Sequence, residues 1–359
     1  MSMHIAIDAL NLAQGGGVVV MDRIAGALER RGAKVTVVTS RTLPGKGAAQ
    51  AGARLVHPRA AGILRSQIFR ATKLPDLLAD VGADAVLSLN YHTPTDLPQA
   101  TFHMNLIPFI PWSERVRAVG ALRAFAQRRA AVRAMTRSRL NLFESRYLHD
   151  RAADVAGSAE VGEVYPIGVD LPTRPPVEPV PGRLITVTSG ARHKRNALGI
   201  EAFRRYRDAG RPHATLDLVG NAADIRASLP EGLRAAIETD PAIRWTGYVS
   251  PAALEEMLAL SWAMLAPSAL ESFFMVAVEA MAAGCAVAGF DVAAMRESVG
   301  PSVPLARDGD IDGLVARLVA LDDAPRRAAE VEAGRLWART FDARSCADRI
   351  AARLIEGLS

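Results

Sequence analysis

Residues 4–39, HIAIDALNLAQGGGVVVMDRIAGALERRGAKVTVVT, set the alternation that the rest of the chain repeats. The apolar run from His4 to Asp8 predicts a strand, and Gly15, Gly16 and Gly17 predict a turn. Apolar residues at helical spacing then predict an amphipathic helix up to Arg31, and Lys34 to Thr39 a second strand. Strand, helix and strand in that order make a βαβ unit. Further apolar runs at Asp84 to Leu89, Thr101 to His103 and Asn141 to Phe143, separated by longer helical stretches, extend it into a parallel sheet covered by helices. Between Pro166 and Gly182 the composition changes: Pro166, Pro172, Pro175, Pro176, Pro179 and Pro181 deny the segment both helix and central strand. An interdomain linker is expected there, at 171–182. The alternation then restarts, with strands at Leu184 to Thr188, Thr215 to Val219, Ile243 to Thr246, Ala263 to Ala266 and Ala286 to Phe290. Helices are expected from Ala197, from Pro251 and from about Phe274, and a mostly helical tail from Asp310 to Leu358. The expected fold class is α/β, with two Rossmann-like doubly wound domains facing a cleft. They occupy 1–170 and 183–340, and a helix over 341–359 is expected to pack back on the first. In such sheets ligands bind beyond the carboxyl ends of the strands, so chemistry is sought in the loops that follow them.

Composition narrows the function classes. The 359 residues are 50% hydrophobic and 23% charged, too apolar for disorder and too many for one comfortable core. No apolar run approaches the ~18 residues that span a bilayer, and the first residues lack the basic start of a secretory signal. Cys285 and Cys346 are the only cysteines, with neither metal-ligand spacing nor a disulfide framework. A cytoplasmic protein is expected. The net charge of +5 points to an anionic partner. Much of the positive charge lies between Trp112 and Arg139, read as one long helix. There Arg115, Arg117, Arg123, Arg128, Arg129, Arg133, Arg137 and Arg139 face the single acid Glu114, with Val116, Val119, Leu122, Phe125, Val132 and Met135 interspersed. Such a helix suits peripheral contact with an anionic membrane, and a solvated arginine face is the plain alternative. Phe125 is the one aromatic between Arg115 and Arg139, too few to stack successive bases, so nucleic acid is not expected as a partner.

The segment from Pro267 through Glu271 and Glu279 to Val287, PSALESFFMVAVEAMAAGCAV, resembles the signature of the retaining GT-B glycosyltransferases of family 4. In that signature two glutamates are separated by seven residues ahead of an Ala-Met and a Gly. Further matches follow in order along the chain: the early glycine run, Pro166-Ile-Gly168-Val-Asp170, His193-Lys194-Arg195-Asn196 leading into Glu201, and Gly247-Tyr248-Val249. The resemblance implies a GT-B fold and transfer of a sugar from a nucleotide-diphosphate donor to a glycan, lipid-linked or small-molecule acceptor, with retention of configuration. It implies no cofactor and no essential metal, and no Asp-x-Asp metal pair is placed in the cleft. Two other functions stay open: a GT-B nucleotide-sugar epimerase, and a catalytically degenerate nucleotide-binding partner subunit.

A departing diphosphate gains negative charge in the transition state, so an enzyme without a metal needs preorganised cations and N–H donors. Lys194, after a predicted strand and before a helix, is the first candidate. Family members often carry an arginine five residues earlier, where this chain has Ser189; Arg192 or Arg195 is expected to take that role. By the same resemblance Glu279 accepts the donor ribose hydroxyls, while Glu271 acts on the sugar with Ser272, Phe273, Phe274 and Met275 around it. Phe274 stands where relatives usually place a glycine, and the ring is expected to shape the sugar site. Gly16 and Gly17 belong to a loop closing over phosphates, Gly247, Tyr248 and Val249 to the donor site, and His103 to the cleft near the acceptor.

Overall fold

The computed structural model describes residues 2–12, 15–41, 53–60, 63–111, 113, 120–173 and 175–359, without the side chains of 58, 63 and 64. The chain forms two compact units, Met1–Gly168 together with Ala343–Ser359, and Val169–Asp342.

The first unit is built on β1 (His4–Asp8), β2 (Lys34–Thr39), β3 (Ala53–Val56), β4 (Ala85–Leu89), β5 (Gln99–His103), β6 (Leu140–Phe143) and β7 (Glu163–Val164). They lie in the order β3-β2-β1-β4-β5-β6-β7 with every pairing parallel. β1, β4, β5 and β6 are buried at every position, which is why they read as short continuous apolar runs. The sequence did not announce β3, an edge strand whose residues are all exposed or half-buried. The chain steps outward from β1 to β2 and β3, then returns to β4 on the other side of β1, so the strand order reverses between β1 and β4.

The helix Ala343–Leu358 completes this unit by packing on the helix Gly16–Arg30 with Cys346, Ile350, Leu354 and Leu358 inward. Arg353 forks onto the Glu163 carboxylate at 2.6 and 3.0 Å, and Arg30 pairs with Asp348 at 2.7 Å. The single helix expected from Trp112 to Arg139 is not continuous. Gly120, at φ 81°, is a left-handed cap that a right-handed helix cannot run through, and the helix spans Ala121–Arg137. Trp112 and residues 114–119, with Glu114, Arg115, Val116, Arg117 and Val119, lie outside the described residues.

The second unit holds β8 (Val180–Val187), β9 (Thr215–Val219), β10 (Ile243–Gly247), β11 (Ser261–Ala266) and β12 (Ala286–Gly289), all parallel in the order β10-β9-β8-β11-β12. Its core gathers Phe203, Tyr206, Leu216, Leu265, Phe290 and Leu314. Contrary to expectation, β8 begins inside the proline-rich segment. Val180 already pairs with Ser261, and Pro181 is tolerated because the ladder to β9 starts only at Arg183, beyond its missing N–H. Here the order reverses between β8 and β11.

At the reversal of the first unit a charge pair is sealed in. Asp8, ending β1, is 2% exposed, and Arg70, from the helix Ile63–Thr72, is 1% exposed. Arg70 Nε donates to Asp8 Oδ2 at 2.5 Å and Nη2 to Oδ1 at 2.9 Å. Thr93 Oγ1, in the loop after β4, donates to Oδ2 at 2.7 Å, and the Leu10 N–H to Oδ1 at 3.2 Å. Removing one member of a buried pair strands the other charge without water, at a cost of about 3–5 kcal/mol. Arg70→Ala should therefore lower the unfolding free energy of the first unit by about that much, read from urea unfolding; a loss below ~1 kcal/mol would mean the pair is hydrated in solution.

Candidate functional site

In the second unit the loops following β8 and β11 lie side by side across the reversal. After β8, residues Thr188 to Arg195 lead to the helix Asn196–Asp208. Asn196 closes this loop on itself: its Oδ1 accepts from Thr188 Oγ1 at 2.6 Å and its Nδ2 donates to the Ser189 carbonyl at 2.8 Å. Gly190 runs so close to Asp224 that a Cβ would lie 2.6 Å from the Asp224 carbonyl carbon. After β11, residues 267–274 lead to the helix Met275–Ala283. The two loops are stitched together by the Ala269 N–H donating to the His193 carbonyl at 2.7 Å. Gly199 permits the approach, since a Cβ there would meet Pro267 Cγ at 2.9 Å.

This stitching sets Lys194 against Glu271. The Lys194 Nζ donates to Glu271 Oε1 at 2.7 Å, with the two side chains 18% and 11% exposed. The ammonium also lies 5.1 Å from the centroid of the Phe274 ring, within cation–π range. Phe274 itself is buried. Its N–H donates to Ser298 Oγ at 2.8 Å, and its φ of −97° suits any residue, so the position makes no conformational demand for glycine. The neighbouring His193 has its pKa lowered by burial and by the Lys194 ammonium, with Glu271 pulling the other way.

Of the two arginines expected to supply a second cation, Arg195 is engaged elsewhere, its guanidinium forking onto Asp308 from a left-handed backbone at φ 49°. Arg192 is exposed and makes no salt bridge among the described residues. The Ser189 Oγ accepts from the Ala191 N–H at 3.4 Å, inside the same loop. Glu279 is half-buried and is the fifth residue of its nine-residue helix, past the first turn, so it is not a capping carboxylate. Ser272 and Met275 are half-buried around the start of that helix, whereas Phe273 is buried on Phe341 with ring centroids 5.2 Å apart. Gly247, at φ 70°, ends β10 at the same carboxyl edge; Val249 is half-buried and Tyr248 is 73% exposed.

In the first unit, Gly16 and Gly17 start a helix behind Gly15, whose φ is 82°, with no side chain capping it. His103 ends β5 fully enclosed. Its ring stacks on Phe143 at 4.6 Å, and Nε2 donates to Asn141 Oδ1 at 3.0 Å, since the Asn141 amide nitrogen is committed to the Met135 carbonyl. Burial brings its pKa down to about 4, against the smaller upward pull of Asn141, so the ring is neutral at neutral pH.

Sequence reasoning quoted Asn196 within a motif but gave it no role, and passed over Gly199 and Ser298. Asn196 carried a signal, an asparagine where a helix begins. Gly199 and Ser298 carried none, because their partners lie far away in sequence. A cavity of about 480 Å³ elsewhere in this unit, bordered by Pro172, Pro175, Glu255 and Arg335, contains none of the candidate residues.

Residues 182–323 match the family model described as glycosyl transferases group 1. No curated protein matches the sequence. Among solved structures, sucrose-phosphate synthase from Thermosynechococcus elongatus is similar over 99% of this chain and 100% of its own, with TM-score 0.82 and 17% identity. WaaG, a glycosyltransferase involved in lipopolysaccharide biosynthesis, is similar over 97% and 99%, with TM-score 0.77 and 20% identity. Anabaena HepE in complex with UDP-glucose is similar over 99% of both chains, with TM-score 0.74 and 16% identity. At these identities the structures speak for the fold, and the family model speaks for the second unit. Residues 182–323 are a group 1 glycosyltransferase domain, and the chain that carries them has the GT-B fold.

Proposed function

We propose that the protein transfers a sugar, with retention of configuration, from a nucleoside-diphosphate donor bound at the carboxyl edge of the second unit's sheet. The observation that carries this reading is the Lys194–Glu271 contact across the strand reversal, where open α/β sheets take their ligands. In this reading Lys194 leaves the carboxylate for the donor phosphates and, with the exposed Arg192, meets the charge that grows on the departing diphosphate. No cofactor or metal is invoked. The released Glu271 turns to the sugar, where it orients hydroxyls and opposes positive charge at the anomeric carbon. Glu279 accepts both ribose hydroxyls, and Gly247, Tyr248 and Val249 border the nucleotide. The acceptor is a glycan, a lipid-linked glycan or a small molecule, and the first unit is the acceptor domain. Because HepE, of the same fold, was solved with UDP-glucose, a UDP-sugar is the first donor to assay.

The division between the glutamates is tested by calorimetry with the nucleoside diphosphate alongside turnover of the intact sugar nucleotide. A hydrogen bond to a charged acceptor is worth about 1.5–3 kcal/mol, so Glu279→Ala should weaken nucleoside-diphosphate binding roughly ten- to a hundredfold. Glu271→Gln removes the carboxylate that holds Lys194 without touching the nucleotide. Binding of the diphosphate should stay level or tighten while turnover falls. Equal diphosphate affinity for Glu279→Ala and the parent would remove the ribose assignment.

Phe274 separates packing from chemistry. Phe274→Leu keeps an apolar side chain under Lys194 but loses the ring face, worth about 0.5–1 kcal/mol, so diphosphate affinity should fall about two- to fivefold while the fold persists. An unchanged affinity would place the ammonium's support elsewhere.

The helix Ala121–Arg137 supports peripheral contact with an anionic membrane. Leu122 is 84% and Phe125 56% exposed, and Arg123, Arg129, Arg133 and Arg137 are exposed around them. Each cation near an anionic surface contributes about 1 kcal/mol. The protein should sediment with anionic vesicles at low salt, release as salt screens the attraction, and bind more weakly as Leu122→Ser/Phe125→Ser. Equal sedimentation with neutral vesicles would remove the electrostatic part.

A further inference from the structure

His92, Arg133 and Arg137 line a cavity of about 570 Å³ in the first unit. It lies toward the amino ends of three neighbouring strands: Ala83 just ahead of β4, Leu97 just ahead of β5 and Arg137 just ahead of β6 all border it. Ligands of this fold class are expected at the opposite, carboxyl edge, so the donor chemistry does not account for the cavity.

Its polar groups are set for an anion. Gln99 Oε1 accepts the Thr93 N–H at 3.1 Å, which fixes the amide so that its nitrogen faces His92 Nδ1 at 2.8 Å and Ser138 Oγ at 3.0 Å. His92 Nδ1 is therefore an acceptor, and the ring proton sits on Nε2. Burial, then the nearby Arg133 and Arg137, lower the His92 pKa, so the ring is a neutral N–H donor at neutral pH. Arg133 and Arg137 are both exposed, and neither forms a salt bridge among the described residues. Asp96 is the one acid in the lining and pairs with neither. Arginines in the last turns of a helix are ordinarily favoured by the carbonyls exposed there. Here two of them share a concave wall with a histidine whose proton is assigned by Gln99, and together they present guanidinium forks and an N–H of the kind that bind a tetrahedral oxyanion.

We propose that His92, Arg133 and Arg137 form a phosphate-binding site, taking inorganic phosphate or a phosphomonoester group, apart from the donor loops of the second unit. The ring signals of the seven histidines, followed by NMR during titration with inorganic phosphate, report on it directly. The His92 Nε2 and Hε1 resonances should move saturably, and Arg133→Gln/Arg137→Gln should weaken the midpoint at least ~tenfold, the loss of one charge-assisted contact or more. Lys194→Ala should leave that midpoint unchanged, because any phosphate held in the donor loops is elsewhere. A His92 signal that stays still, or that moves identically in the double variant, overturns the site. Sedimentation on phosphatidic acid against phosphatidylglycerol vesicles then separates the sources. A preference for phosphatidic acid that the double variant loses makes the occupant a lipid headgroup; no preference, with the NMR response intact, makes it a soluble phosphate compound.

Discussion

A parallel sheet brings each crossover back over one of its faces, and the face changes where the strand order reverses. At that point two loops leave adjacent strands in opposite directions and open a space that no helix fills. Both units have such a point, and both place an acid and a base across it. In the first, Asp8 and Arg70 are 2% and 1% exposed and further bonded by Thr93 and Leu10. In the second, Lys194 and Glu271 are 18% and 11% exposed, and the lysine rests on an aromatic ring. That difference in access decides what each pair can do. A sealed pair can exchange its partner only by unfolding, whereas a half-open one can trade a carboxylate for a phosphate at the cost of one contact.

The rest of the second unit's site serves that half-open pair. Asn196 folds the Lys194 loop onto its own helix, Gly199 lets that helix reach Pro267, and the His193 carbonyl ties the two loops together. Ser298 holds the backbone of Phe274, which sets the ring beneath the ammonium. None of these groups need meet a substrate. Their work is to remove freedom from the two residues proposed to do so, ahead of any ligand arriving.

The parts legible in the sequence were those with local causes. β1, β2 and β4 are fully or almost fully buried strands, and their apolar runs gave them away; the half-exposed edge strand Ala53–Val56 had no such run. Gly120 hid inside an arginine-rich stretch of helical spacing, and its positive φ sets the start of the helix at Ala121. Proline counting placed the linker's end too late, because Pro181 costs nothing ahead of the first ladder bond to β9. Lys194, Glu271 and Glu279 stood out by motif. What no local pattern reveals is that Lys194 and Glu271 touch, 77 positions apart, or that Gln99 sets the tautomer of His92.

The helix Ala343–Leu358 belongs to the first unit although the whole of the second lies between it and Gly168 in the chain. On a ribosome, the second unit can close while the first still lacks the surface that covers Gly16–Arg30. Until residue 358 emerges, the face of Gly16–Arg30 on which this helix packs has no permanent cover. The unit begun first is thus the last to be finished, and a chain stopped early would carry an intact second unit beside an unfinished first.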